Sequence, residues 1–225
     1  MKTKNAVPPP SSWSLYVVTD VALSGGRPHD EIAGKAFAGG ADAVQLRDKK
    51  MTGRELLSSA KRVLAIARRH GGAFIVNDRI DVAMASSAHG VHLGFSDFDF
   101  SLARELLPSS MLLGITVTSL EEARHAIAAS PDYIAISPVF EARESKWDAG
   151  PPVGLKFVEN VRSMTEIPLI GIGGIHHENA HSVIKAGACA VAVISAVVSA
   201  KDMEGSARRL KEIVQEVKGK QLHPS

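Results

Sequence analysis

The chain has 225 residues, of which 45% are hydrophobic and 22% charged, and its formal net charge is +2 at pH 7. This composition can bury one sizeable core, and α/β barrels of this length form a single domain. No basic run with interleaved aromatic residues occurs, so nucleic acid is excluded as an expected partner. The single cysteine, Cys189, excludes a disulfide framework and favours a reducing compartment.

The N-terminal residues 1–14 are polar and proline-rich, and they lack the apolar stretch of a signal peptide. We interpret them as a flexible tail and residues 15–220 as one barrel domain. The Ala- and Val-rich stretch 186–200 is shorter than the roughly 20 residues that a membrane span needs. We therefore expect a cytoplasmic protein with no membrane partner, and the sequence does not decide whether it forms a homo-oligomer.

Short apolar, β-branched segments alternate with amphipathic segments of helical length along the whole chain. Residues 52–70, for example, carry an apolar stripe at helical spacing, and Gly71 and Gly72 end it. In chain order the patterns predict strand 15–19, helix 31–38, strand 43–46, helix 52–70, strands 73–76 and 90–93, helix 101–107, strand 112–117, helix 119–129, strand 133–136, helix 155–164, strand 168–172, helix 178–186, strand 190–194 and helix 202–217.

The strand-like segments are apolar throughout, which is typical of parallel strands that are covered on both faces. Eight such strands, with helices between them and no spare strand, favour a single α/β domain of the (β/α)8 or TIM barrel class. An open, doubly wound sheet is the alternative. In the barrel, binding and catalytic residues lie at the C-terminal ends of the strands, and polar residues do follow most of the predicted strands there.

Gln45, Arg47 and Lys49 are alternate residues at the end of the second strand, so period-two geometry points them to one face. If that face is the barrel lumen, two cations converge there, and uncompensated buried cations are costly. The cluster then implies an anionic ligand or acidic neighbours. The alternative is that Arg47 and Lys49 already lie in a solvated loop.

Asp78 and Asp97 follow the third and fourth strands, which are neighbours in a barrel. Two carboxylates on one rim repel each other or share a cation, and Mg²⁺ suits carboxylates that act together with phosphate oxygens. The sequence therefore predicts Mg²⁺ at this pair, with two independent solvated acids as the alternative. Two histidines, His89 just before the fourth strand and His92 within it, are interpreted as rim or packing residues.

Gly173 and Gly174 follow the seventh strand, and Ser195 follows the eighth after Ile194. Many barrels bind a phosphate at this place, where glycine lets the backbone approach and free N–H groups point to the ligand. The sequence therefore predicts a phosphate site there, with a simple tight turn as the alternative.

These residues lie in motifs that resemble the thiamine phosphate synthase family, which also includes the similar thiazole tautomerases. The resemblance extends over residues 15–198, nearly the whole chain. It is carried by QLRDK at 45–49, VNDR at 76–79, GVHLG at 90–94 with Asp97, PVF at 138–140, Ser145-Lys146, GIGGI at 171–175 and Ile194-Ser195.

The resemblance implies a transferase that joins 4-amino-2-methyl-5-hydroxymethylpyrimidine diphosphate to thiazole phosphate and releases pyrophosphate. It implies that the catalytic cations are Arg47, Lys49 and Lys146, and that Asp78 and Asp97 hold Mg²⁺. The pyrimidine diphosphate would be bound by Gln45, Arg47, Lys49 and Asn77, and the thiazole phosphate by Ser145, Gly174, Ile194 and Ser195. We also expect Thr116, at the end of the fifth strand, to bind substrate.

The sequence departs from the synthase pattern at several places. Phe95 stands where synthases usually have Gln, Ser137 where they have Gly, and Glu141-Ala142 where they have Pro-Thr, so one hydroxyl expected at the thiazole phosphate is missing. Two other functions are therefore weighed: an isomerase of the tautomerase type, and a non-catalytic ligand-binding relative. Thr118 stands where tautomerases carry their catalytic His, which counts against the isomerase, and the retained acids and cations count against a pure binder.

Overall fold

The computed structural model describes residues 7–142 and 150–222. Eight parallel strands pair in sequence order, and the last pairs with the first to close a barrel. This confirms the (β/α)8 prediction and rules out the open sheet. The strands are β1 Leu15–Val18, β2 Ala43–Leu46, β3 Ala73–Asn77, β4 Gly90–Leu93, β5 Leu112–Val117, β6 Tyr133–Ile136, β7 Leu169–Ile172 and β8 Ala190–Val193.

Helices follow the strands and form the outer layer. They are α1 His29–Ala38, α2 Gly53–His70, α3 Ile80–Ser86, α4 Phe100–Leu106, α5 Leu120–Ala128, α6 Gly154–Arg162, α7 Ala180–Lys185, α8 Ser195–Val198 and α9 Met203–Leu222. The sequence prediction omits α3 and the four-residue α8. None of the described helices is long and apolar enough to cross a membrane.

Each strand alternates between two apolar layers. Leu15 and Val17 of β1 pack outward in the large core between strands and helices. Tyr16, between them, points into the lumen and packs in a smaller core with Tyr133 and Ile170. Because both layers are apolar, the strands show no alternation in sequence, although period two governs their packing.

The N-terminal end of the barrel is closed by residues that we expected in a flexible tail. Pro10–Ser12 form a 3-10 helix, and Trp13 is fully buried. The Trp13 ring packs on those of Tyr16 and Tyr133, and its Nε1 donates to Pro8 O at 2.8 Å. The tail prediction is therefore corrected for residues 10–14, because the Trp13 side chain fills the base of the lumen. Residues 1–6 lie outside the described part of the chain.

Helix α5 begins with a Ser119–Glu122 capping pair that differs from a capping box. Ser119 Oγ accepts from the Glu122 N–H at 3.1 Å. The Glu122 carboxylate, however, accepts from Thr118 N–H and Oγ at 2.7 and 2.9 Å, one residue earlier than in a capping box. The Thr118 hydroxyl therefore stabilises the turn between β5 and α5.

Candidate active site

A cavity of about 420 Å³ opens at the C-terminal ends of the strands. It brings together many of the residues that the sequence predicts for the two substrates and for Mg²⁺. Those among its lining residues are Gln45, Arg47, Lys49, Asn77, Asp78, Asp97, Thr116 and Ile194. A smaller cavity of about 50 Å³ lies beside it, and its lining includes Gly173, Gly174, Ile194 and Ser195.

Asp78 occupies an unusual backbone position at the end of β3. Its φ is 62°, and the Arg79 N–H donates to Asn77 O at 2.7 Å, so Asp78 is the central residue of a three-residue turn. Non-glycine residues rarely adopt this left-handed region, and such strain is concentrated at functional sites. The Asp78 N–H is anchored to His92 O at 2.9 Å, which holds the turn over the cavity.

Three charged side chains lie around Asp78: the acid Asp97 and the cations Lys49 and Arg47. Lys49 Nζ lies 3.9 Å from Asp78 Oδ2. Burial and the neighbouring Asp97 carboxylate raise the pKa of Asp78 to about 6, although Lys49 and Arg47 oppose the shift. The Asp97 carboxylate itself accepts from the Gly94 N–H at 2.6 Å, which fixes it at the rim. Carboxylates placed this close are poised to share a proton or a cation.

The floor of the cavity is polar, because lumen side chains form hydrogen bonds with one another there. Gln45 is buried and donates from Nε2 to the Tyr16 hydroxyl at 2.7 Å. His92 lies between Tyr133 and Thr116, at 3.0 and 2.6 Å. The interpretation of His92 as a rim or packing histidine is therefore incomplete, since its ring lines the cavity and joins two hydroxyl groups.

The phosphate end of the site is shaped by the loop after β7. Gly173 and Gly174 have φ values of 98° and 63°, which favour glycine. A Cβ on Gly174 would collide with Phe140 and with Glu141 O. The absent Cβ therefore gives room to the protein's own β6–α6 loop, and this supports the tight-turn alternative at Gly174. Asn179 stabilises the loop after β7, since its side chain accepts from His176 N–H at 2.8 Å and donates to Gly174 O at 2.9 Å.

Ser195 is the first residue of α8 and lines both the small cavity and the groove beside it. Ser195 therefore lies where it could contact a phosphate, as the sequence predicts. Two other predicted residues, Ser145 and Lys146, lie outside the described part of the chain.

The comparisons with known proteins agree with this geometry. The family model described as thiamine monophosphate synthase matches residues 15–197. The chain belongs to this family. A thiamine-phosphate synthase of Moorella thermoacetica is 45% identical over 92% of this chain and 99% of its own length. One of Methanoculleus marisnigri is 48% identical over 89% of this chain and 94% of its own.

A solved member of the family has the same structure. Thiamine phosphate pyrophosphorylase from Pyrococcus furiosus is 37% identical, with a TM-score of 0.85 over 92% of this chain and 98% of its own. Family membership therefore confirms an enzyme of the transferase type, and it favours the synthase over the tautomerase and the non-catalytic relative. Position 118, where a tautomerase would carry its histidine, is a threonine whose hydroxyl donates to Glu122.

Several residues of the site were not predicted from sequence. Tyr16 and Tyr133 resemble ordinary apolar strand residues until barrel closure brings their rings into edge-to-face contact in the lumen. His29 and Thr19 lie behind the cavity, and no local motif marks them. The signal for Tyr16 is its phase on β1: it lies two residues before Val18, which pairs with Gln45, so period two points Tyr16 to the same face as Gln45.

Proposed function

We propose that this protein joins the pyrimidine diphosphate to thiazole phosphate in the large cavity and releases pyrophosphate. The observation that carries the proposal is the strained, half-buried Asp78 between Asp97 and the two cations Arg47 and Lys49. Acids and cations gathered around one opening suit a diphosphate that is bound together with a divalent cation. The named relatives support the same activity.

Gln45, Asn77 and Thr116 are the groups that would hold the pyrimidine ring, since all three line the deep cavity. Arg47 and Lys49 would bind the diphosphate at the rim. Lys146 has the same predicted role from the sequence. The thiazole phosphate would be held by Ile194, which lines both cavities, and by Ser195, which lines the smaller one. Ser145 would join them by prediction, and Gly174 would shape the loop.

Asp78 and Asp97 are the groups that would hold Mg²⁺. Their donor chemistry fits a hard cation, and a cation would offset the burial and the neighbouring Asp97 charge that raise the pKa of Asp78. In the described residues no cluster of three or more His, Cys, Asp or Glu is placed to hold a metal ion, so diphosphate oxygens and water would complete the shell. When bound, Mg²⁺ would supply electrostatic stabilisation of the leaving group.

The residues then have distinct roles in the reaction. The bond between the pyrimidine methylene carbon and the diphosphate oxygen breaks, and pyrophosphate leaves with the electron pair. Arg47, Lys49 and Lys146 stabilise the charge that develops on it. The electron-rich aminopyrimidine stabilises the carbocation-like centre, and the thiazole nitrogen supplies the electron pair of the new C–N bond. No protein nucleophile is needed, and holding both substrates lowers the entropic barrier.

The test is a product assay with both substrates, with and without Mg²⁺, on the wild type and on Asp97→Asn. We expect the wild type to form product only with both substrates and Mg²⁺. The Asp97→Asn variant should fold but lose most of its turnover. Wild-type protein that forms no product would contradict the proposal. Undiminished turnover of Asp97→Asn at limiting Mg²⁺ would remove Asp97 from the metal site.

A further inference from the structure

Five polar side chains form one continuous line of hydrogen bonds across the barrel lumen, which we call the lumen network. It runs from Gln45 on β2 to Tyr16 on β1, Tyr133 on β6, His92 on β4 and Thr116 on β5. The successive distances are 2.7, 3.1, 3.0 and 2.6 Å. Its two ends, Gln45 and Thr116, line the same cavity, whereas Tyr133 in the middle is fully buried.

The orientation of the Gln45 amide sets the direction of the whole line. Gln45 Nε2 can only donate, so the Tyr16 oxygen accepts and the Tyr16 proton goes to Tyr133. Tyr133 then donates to His92 Nδ1, which leaves the proton of the neutral ring on Nε2. His92 Nε2–H donates to Thr116 Oγ1, and the proton of Thr116 is left for the cavity. Burial raises the pKa values of Tyr16 and Tyr133, which keeps both hydroxyls protonated.

The two ends of the network are therefore coupled. Gln45 offers its amide oxygen to the cavity as an acceptor, while Thr116 offers a hydroxyl proton as a donor. If the Gln45 amide were turned, its oxygen would accept from Tyr16 and every bond would reverse. Thr116 would then donate to His92 and show the cavity a lone pair. In either direction the two ends present one donor and one acceptor to the cavity. A change in the hydrogen-bonding role of Gln45 therefore requires the opposite change at Thr116.

We propose that Tyr16, Tyr133 and His92 are positioning residues that set the hydrogen-bonding roles of Gln45 and Thr116 toward the substrate ring. This rests on the proposed function and deepens it. An aminopyrimidine carries an amino donor beside a ring-nitrogen acceptor, which complements an acceptor at Gln45 and a donor at Thr116. An oxo ring with an adjacent N–H carries the opposite pattern, so its binding requires reversal of the whole network. The lumen network thus selects a 4-amino ring over a 4-oxo ring.

The direction of the network is measured on the free protein, without any substrate. Long-range ¹H–¹⁵N NMR of histidine-labelled protein reports which ring nitrogen of His92 carries the proton, and loss of the signals in His92→Gln assigns them. The pH is kept well above the ordinary histidine pKa of about 6.5 so that the ring is neutral. We expect the Nε2–H form in the wild type. A wild-type ring protonated on Nδ1 would overturn the proposed direction.

Tyr133→Phe removes the hydroxyl at the centre while keeping the ring. We expect the Nε2–H fraction of His92 to fall, because the Tyr133 hydroxyl no longer donates to Nδ1. Trp13→Phe is the matched control, since it alters packing on Tyr133 but removes none of the network bonds, and it should keep the Nε2–H form. If Tyr133→Phe does not fold, Gln45→Glu makes the test instead, since a carboxylate can only accept from Tyr16 and should reverse the line to the Nδ1–H form of His92. An unchanged His92 tautomer in either folded variant would overturn the inference.

Kinetics supply the functional readout. In Tyr133→Phe the KM for the pyrimidine diphosphate should rise about three- to tenfold, the range of one net hydrogen bond. The KM for thiazole phosphate should stay unchanged, and the preference for the 4-amino over the 4-oxo diphosphate should fall. Equal rises in both KM values would contradict a positioning role. A wild type without synthase activity would instead overturn the proposed function, and the tautomer measurement would still stand.

Discussion

His29 Nε2 lies 3.3 Å from Asp48 Oδ2, and this contact joins the start of α1 to the loop that carries Arg47 and Lys49. On the other side of the ring, His29 Nδ1 is 2.7 Å from Thr19 Oγ1, which accepts from the Arg47 N–H at 3.2 Å. None of these supporting side chains lines the cavity. The cations at the rim are therefore held from behind by a buried histidine.

The first prediction follows from this support. His29→Ala should raise the KM for the pyrimidine diphosphate more than that for thiazole phosphate, because the loop that carries Arg47 becomes less ordered. The free energy of unfolding should fall by about 1–3 kcal/mol, since buried partners lose their hydrogen bonds. Steady-state kinetics with each substrate varied in turn, together with urea unfolding, provide the measurements.

Asp30→Asn is the matched control on the same helix. Asp30 pairs with Arg62 at the surface, 3.1 Å away, and such exposed pairs contribute at most about 1 kcal/mol. This variant should keep both KM values. If His29→Ala behaved like Asp30→Asn in the kinetics, His29 would have a structural role only.

The second prediction concerns Asp78 and pH. Its native pKa of about 6 lies above the ordinary value of 3.8, so the native state binds a proton that the unfolded chain has already lost. Stability from this group is therefore present at low pH and is lost as pH rises through about 6. In metal-free protein, Asp78→Asn should raise the melting temperature at neutral pH, and the gain should shrink below about pH 6.

Mg²⁺ gives the reciprocal measurement on the same variant. Added Mg²⁺ should raise the melting temperature of the wild type at neutral pH, because it binds the native acids, and it should have little effect on Asp78→Asn. The variant should also lose turnover. A variant that gains stability and keeps full Mg²⁺-dependent activity would show that Asp78 is not part of the metal site.

The third prediction separates Ser195 from Gly174 at the phosphate end. Ser195→Ala should raise the KM for thiazole phosphate several-fold and leave that for the pyrimidine diphosphate unchanged, because Ser195 lines the smaller cavity and the groove beside it rather than the larger cavity. Gly174→Ala should instead lower the melting temperature, since its Cβ would collide with Glu141 O and φ is 63°. Melting curves recorded alongside both KM values make the distinction, and a Ser195→Ala variant with both KM values raised equally would contradict the assignment.

The sequence predicts the barrel well because its apolar strands leave little ambiguity. Each predicted strand differs from the observed one by no more than one residue at either end. The rim residues can also be predicted from the sequence, since Asp78 and Asp97 lie just after neighbouring strands. The short helices α3 and α8 are missed, and the four residues of α8 are too few for a helical period to show.

The polar lumen is harder to predict, for a physical reason. Tyr16 and Tyr133 are separated by 117 positions in sequence, and their hydroxyls meet only because the barrel closes. In sequence each is an apolar strand residue, and nothing local marks its hydroxyl as bonded. The same holds for Trp13, which follows a proline-rich segment and is nevertheless fully buried.

The last prediction tests the packing of Trp13 at the base of the barrel. Trp13 packs on Tyr16 and Tyr133, and Lys218 Nζ donates to Trp13 O at 2.9 Å, which ties α9 to the same end. Trp13→Ala should lower the free energy of unfolding by about 3–5 kcal/mol, the usual cost of truncating a buried tryptophan. Ser12→Ala, at an exposed neighbour, should change it by no more than about 0.5 kcal/mol. Urea unfolding followed by circular dichroism measures both, and a Trp13→Ala loss as small as that of Ser12→Ala would restore the flexible-tail interpretation.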